Sequence, residues 1–346
     1  MARILAPTDE GIRQVTAALA GGELAAFPTE TVYGLGALAL NPAAVRTIFE
    51  VKGRPPSNPI IVHVLGLDEA APLVTSIPPL AQHLANAFWP GPLTLVLPRS
   101  TIVPDEVTAG GPTVALRSPA HPVARALLAA LGKPVAAPSA NRSSEVSPTT
   151  AAHVQTALGN RIGLILDGGP CTIGIESTVL DITGEVPVVL RPGSISREAI
   201  EAVLKPSYSF PPFPPRLGEG GAEGGPLRSP GLLERHYAPR SIAVLALPEQ
   251  IEAERARLSA HGLRVGVLGV SLSWGEGLLL PADPEGYARG LYAALHELDA
   301  RFDALVIEAP GSGPAWEAVL DRLRRATARG DDKPEREAQG LLPQQG

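Results

Sequence analysis

Cysteine is nearly absent from this 346-residue chain, which holds one, Cys171. A single thiol excludes an internal disulfide and any cysteine-based zinc site built within one chain. No base stands near it in GGPCTIG to activate it as a nucleophile, so it reads as structural. Long apolar runs are missing too. No stretch is long enough to span a bilayer, and MARILAPTDEG lacks a signal-peptide core, so a cytoplasmic location with no membrane partner is expected. Lysine stands only at 52, 133, 205 and 333, so the 29 cations are mostly arginine. A lone arginine is therefore weak evidence of function here, and Lys52 is slightly more informative. The formal net charge of −6 argues against broad nucleic-acid binding by the whole surface while leaving room for a local basic cavity. No G-x-x-x-x-G-K-[ST] occurs, so bound ATP would not sit in a P-loop.

What remains is a globular composition, 45% hydrophobic and 18% charged, in a chain long enough for about two domains. The stretch from 28 to 63 looks like its organising segment. The apolar run Leu24 to Phe27 ends at Pro28, a polar, glycine-bearing turn follows, and Asn41 and Pro42 open an amphipathic helix that stops at Gly53. Beyond it Lys52, Arg54, Asn58 and His63 are delivered by one proline-stiffened loop to a strand edge. Such a loop suits an anion, although Lys52 and Arg54 also suit a helix C-terminus facing water.

Helices are expected from Asp9, Pro78, Pro122, Thr150 and Ser196. Strands are expected at Leu93 to Leu97, Thr113 to Arg117, Pro134 to Pro138, Leu164 to Asp167 and across GIESTVLDIT and PVVLR. This irregular mixture predicts one α/β domain over 1–205 with a twisted, partly antiparallel sheet. Residues 206–240 turn to proline and glycine and read as a linker. From 241 to 330 strands and helices alternate, the pattern of a small doubly wound, Rossmann-like parallel sheet, and 331–346 is a polar tail.

Two glycine motifs imitate nucleotide fingerprints. Gly34-Leu35-Gly36 lies too far from the helix start at Asn41, and in Gly311-Ser312-Gly313 the third glycine's place is taken by Trp316, so a plain turn is the expectation there. In the first domain, polar residues gather at strand ends: Thr31, Arg54, Asn58, His63, Thr113, Arg117, Ser139, Asn141, Ser147, Ser177 and Arg191. Each has a plainer reading. Ser139 and Asn141 suit an ordinary turn, His63 a buried hydrogen-bonded imidazole, and Arg117 and Arg191 surface ion pairs.

TETVYGLG followed by KGRPPSNPIIVH, then TVALRSP, APSANRSSEVSPT, GGPCTIGIESTVLD and VLRPGSIS, are similar, block by block and in order, to the YrdC domain. SPGLLERHYAP with the α/β tail resembles the longer Sua5 form, so the likeness to the YrdC/Sua5 family spans nearly the whole chain. Two departures are Leu233-Glu234, where basic residues are commoner, and Asp321-Arg322-Leu323, where Asn-Arg-Leu is commoner. The resemblance implies a YrdC-like twisted mixed-sheet domain and a small Rossmann-like Sua5 domain. It implies a nucleotidyltransferase that makes threonylcarbamoyl-AMP and pyrophosphate from L-threonine, bicarbonate or CO2, and ATP, for the t6A modification of tRNA. Thr31, His63, Arg117, Ala137 and Ser177 would then line a threonine pocket. Arg54, Asn58, Thr113, Ser139, Asn141, Ser147, Arg191 and Tyr237 would hold ATP, with Lys52 and Arg54 as the catalytic cations. Mg2+ would ride on the ATP phosphates without protein ligands, and the linker would close as a lid carrying Tyr237. Possible partners are tRNA or the t6A transferase proteins. The rivals are a double-stranded RNA or tRNA-binding module without catalysis, and a carbamoyl transferase, whose paired-cysteine zinc motifs this chain lacks.

Overall fold

The organising helix forms as Pro42–Lys52, with the Asn41 side chain accepting from the amides of Ala43 and Ala44 at 3.1 and 3.2 Å and Gly53 closing it in the left-handed conformation, φ 62°. The computed structural model describes residues 1–204, 235–270 and 276–328. Of the linker expected over 206–240, residues 206–234, Leu233 and Glu234 among them, lie outside the described residues, as does the tail over 331–346.

Between Phe27 and Asn41 the structure corrects the expectation of a turn, because Gly34–Leu38 is a fully buried strand antiparallel to Ala25–Phe27. The glycines that suggest a loop are there for close packing. A Cβ on Gly36 would stand 2.9 Å from Phe27 Cε1 and 3.0 Å from Val135 Cγ1, so only glycine lets those side chains cross the strand.

The large sheet is mixed and ten-stranded. Its spatial order is Arg3–Leu5, Leu164–Leu166, Ala25–Phe27, Gly34–Leu38, Val135–Ala136, Ile61–His63, Thr113–Arg117, Leu93–Pro98, Thr178–Asp181 and Val188–Arg191. Both parallel and antiparallel pairs occur, as with Ile61–His63 parallel to Thr113–Arg117 and Leu93–Pro98 antiparallel to it. Val15 and Leu19 of helix Asp9–Ala20 pack on one face with Ala25 and Phe27, while Val45 and Ile48 of Pro42–Lys52 pack on the other with Ala26 and Leu35. Alternate residues of one strand thus serve two helical layers.

The second sheet is parallel, ordered Ile242–Ala246, Ala304–Glu308, Val265–Gly269, Gly277–Leu279, the last a short strand beyond those expected. Ala304–Glu308 is buried throughout. Leu305 and Ile307 meet helix Pro284–Asp299, and Ala304 and Val306 meet helix Ile251–Ser259. Helices on both faces are the doubly wound arrangement. Gly311 lies in the irregular connection between Ala304–Glu308 and the 3-10 turn Pro314–Trp316, with Trp316 packed so tightly on it that a Cβ would meet the indole Nε1 at 2.5 Å. The two sheets are joined by a common core, in which Val32, Val146 and Ile175 of the first domain pack with Tyr287, Leu291 and Leu295 of the second.

Candidate active site

Parallel pairing places His63 beside Arg117, each the last residue of its strand. Ser139 joins the same edge through a bridge to Gly34, and Ser177 lies just before Thr178–Asp181. Around this edge Thr31, Arg54, His63, Arg117, Ala137, Ser139, Ser177, Arg191 and Tyr237 line one cavity, together with Thr29, Glu176 and His236. The open space is about 50 Å3, whereas pockets for drug-sized ligands run to roughly 300–1,000 Å3.

The cavity's arginines are all buried and each is anchored. Arg54 donates from Nε to the Asn58 carbonyl at 3.2 Å and from Nη2 to that of Pro59 at 2.8 Å. Arg117 donates from Nη1 to Thr31 Oγ1 at 2.8 Å and from Nη2 to Glu30 Oε1 at 2.6 Å. Arg191 holds the Ser177 carbonyl through Nε and Nη2, at 3.2 and 2.9 Å, and reaches Ser177 Oγ at 3.2 Å. The surface ion pairs considered for Arg117 and Arg191 are therefore not what forms: both side chains are interior and preset, as a charge-binding site requires.

Burial pulls Arg54 down to about 10, an unusual fall for a guanidinium, with Arg191 adding to it. It pulls His63 down to about 3, assisted by Arg117, so this imidazole is neutral and its Nδ1 has no partner. His236 is likewise drawn to about 3, by burial and then by Arg54, Lys52 and Arg191, against the opposing pull of Glu176. For Glu30 and Glu176, burial raises the carboxyl but their arginine partners more than offset it, leaving both below the usual carboxylate range.

Five of the residues expected at the site do not line the cavity. Lys52 is buried, and its ammonium donates to the carbonyls of Ser139, at 2.6 Å, and Asn141. Burial, then Arg54, hold it well below the usual ammonium range. It fastens the turn that carries Ser139. Asn58 is buried with neither side-chain atom paired. Asn141 donates to the carbonyls of Arg142 and Glu145, both at 2.8 Å, and Ser147 donates to Glu176 Oε1 at 2.6 Å. Thr113 begins the strand that Arg117 ends, about 13 Å away at ~3.3 Å per residue.

Tyr237 closes one wall, buried with its hydroxyl unpaired. Its backbone is left-handed, φ 60°, and so is that of Ser144, φ 65°. The amide of Ala238 donates to the Ser144 carbonyl at 2.9 Å, so two strained residues meet where this segment is tied down.

Glu30, Glu176 and His236 escape a reading by residue type. A glutamate in TETV or IEST looks like a solvated charge, and the only hint is its place within an otherwise small and apolar run. No cluster of three His, Cys, Asp or Glu side chains among the described residues could hold a metal ion. No helix among them is long and apolar enough to cross a membrane.

The chain is also similar to known proteins. Residues 17–193 match the Sua5/YciO/YrdC family model, described as telomere recombination, and residues 195–328 match one described as threonylcarbamoyl-AMP synthase, C-terminal domain. The chain is 42% identical over 314 residues to the threonylcarbamoyl-AMP synthase of Pyrococcus abyssi, covering 88% of this chain and 91% of that one. To the Bacillus subtilis protein of the same name it is 43% identical over 336 residues, covering 93% and 94%. The crystal structure of P. abyssi Sua5 complexed with L-threonine matches with a TM-score of 0.86 at 40% identity, covering 94% of this chain and 97% of that chain.

Proposed function

The chain belongs to the Sua5/YrdC family, and from that premise we propose that it is a threonylcarbamoyl-AMP synthase acting on L-threonine, bicarbonate or CO2, and ATP. The observation that carries the reading is one cavity lined by three buried, anchored arginines, Arg54, Arg117 and Arg191, beside the uncharged Thr31, His63 and Ser177. Such a wall suits two anions that would otherwise repel each other.

The threonine amine attacks bicarbonate to give a carbamate and water. A carbamate oxygen then attacks the α-phosphorus of ATP, and the bond to the bridging oxygen breaks to release pyrophosphate. The carbamate is itself the nucleophile, so the protein's part is to hold and neutralise. Thr31, His63, Arg117, Ala137 and Ser177 form the threonine side, where Arg117 meets the carboxylate and His63, kept neutral, adds a hydrogen bond without adding charge. Arg54, Ser139, Arg191 and Tyr237 form the ATP side. Lys52, Asn58, Asn141 and Ser147 support it from behind, and Thr113 lies farther along its strand.

Mg2+ would enter with the triphosphate, as part of the substrate. The open space is far too small for both substrates, so the segment bearing His236 and Tyr237 must swing out to admit them and return to exclude water from the carbamate. The adenylate is then consumed by a transferase that delivers threonylcarbamoyl to tRNA as t6A.

The test is pyrophosphate release by the purified protein with Mg2+ and ATP, omitting threonine or bicarbonate in turn. Release that requires both supports the reading, and release indifferent to threonine overturns it.

A further inference from the structure

Helix Glu317–Thr327 of the C-terminal domain sends Arg322 into the catalytic domain with none of its surface exposed. Its Nε donates to Glu176 Oε2 at 2.9 Å, its Nη2 to the Glu176 carbonyl at 3.4 Å, and its Nη1 to Asp321 at 2.7 Å. The guanidinium carbon lies 5.1 Å from the centre of the Tyr237 ring.

Two of the groups it touches, Glu176 and Tyr237, belong to the cavity wall. Glu176 accepts from Ser147 Oγ at 2.6 Å and from the Tyr292 hydroxyl at 2.9 Å, and its next residue, Ser177, is the one Arg191 grips. Tyr237 keeps its left-handed backbone without any hydrogen bond from its own hydroxyl. The ring is held by Arg322, by Tyr292, with ring centres 5.9 Å apart, and by its neighbour His236, edge-on at 4.0 Å. The same helix also accepts the His236 amide, at the Arg325 carbonyl, 3.2 Å away.

The geometry points to Arg322 as a positioning residue that the C-terminal domain supplies to the active site: its charge orients Glu176, and with it Ser147 and Ser177, while its guanidinium, standing over the ring, holds Tyr237 closed over the cavity. The C-terminal domain thereby supports the cavity wall from behind without lining it. The kinetic arm of this inference rests on the synthase reading; the arm concerning segment 235–240 does not.

Lysine separates the two actions of Arg322, because a single point-charge ammonium still pairs with Glu176 but lacks the extended fork that reaches Glu176 and the Tyr237 ring at once. In full-length Arg322→Lys, amide hydrogen exchange over 235–240 is expected to rise about tenfold, while exchange in the central strand Leu93–Pro98 stays at its original rate. The KM for ATP should rise by about tenfold with kcat changed by less than about twofold. Tyr237→Leu should raise exchange over 235–240 to the same degree, and the double variant should be no worse than either single one. Tyr237→Phe, which keeps the ring, should leave exchange there low.

Wild-type exchange over 235–240 in Arg322→Lys would overturn the proposal. So would an even rise across both domains in Arg322→Ala with KM unchanged, since that describes a staple between domains and no more. If the wild-type protein releases no pyrophosphate, the synthase reading fails while exchange over 235–240 still decides whether Arg322 holds Tyr237.

Discussion

Arg117 and Glu30 pair at 2.6 Å inside the catalytic domain, with side chains 4% and 8% exposed. The amide of Ala120 holds the other carboxylate oxygen at 3.1 Å. The arginine proposed above to meet the threonine carboxylate is thus fixed in place by the protein itself, and its charge is tolerated in the interior because Glu30 is there. Removing one partner of such a pair strands the other, at a cost of roughly 3–5 kcal/mol. Glu30→Gln is expected to lower the free energy of urea unfolding by about 3 kcal/mol with little change in m. A loss within ~0.5 kcal/mol would mean that the pair contributes nothing net.

Acid should destabilise the fold through its histidines. Burial pulls His63 and His236 from the ordinary 6.5 to about 3, and pulls His153 to about 4 with help from His296, whose ring stacks on it at 4.1 Å. In each case the folded value lies below the unfolded one, so the unfolded chain takes the proton first. Their contribution is complete above the unfolded value and is lost as pH falls toward the folded ones. Urea midpoints should therefore fall steadily between about pH 7 and pH 5. A midpoint indifferent to pH over that range would contradict this account.

Gly36→Ala tests the close packing at the organising strand. The added methyl would meet Phe27 at 2.9 Å and Val135 at 3.0 Å, and neither is a flexible chain end. Overpacking of this kind costs about 1–3 kcal/mol, to be read as a lowered thermal midpoint. An unchanged midpoint would show that the strand pair relaxes freely.

The sequence exposes the organising helix and much of the cavity for different reasons. Asn41, Pro42 and Gly53 act within a few residues of themselves, so local chemistry is enough to place them. The C-terminal strands read clearly because burial on both faces demands continuous apolar runs, as in Ala304–Glu308. Gly34–Leu38 misleads because its glycines answer to Phe27 and Val135, and Val135 is about a hundred residues away in sequence.

Composition, periodicity and capping by themselves determined an α/β chain with two sheets, a proline- and glycine-rich segment between them, and polar residues at strand ends. Only the tertiary structure decided which of those residues share a cavity. Thr113 and Arg117 sit at opposite ends of one short strand, while His63 and Arg117 meet through pairing between distant segments. Charge was decided there as well. A glutamate or an arginine has no fixed role along the chain, and Glu30, Glu176 and Arg322 acquire theirs because an unpaired charge cannot be buried, so each must find its partner where the fold brings it.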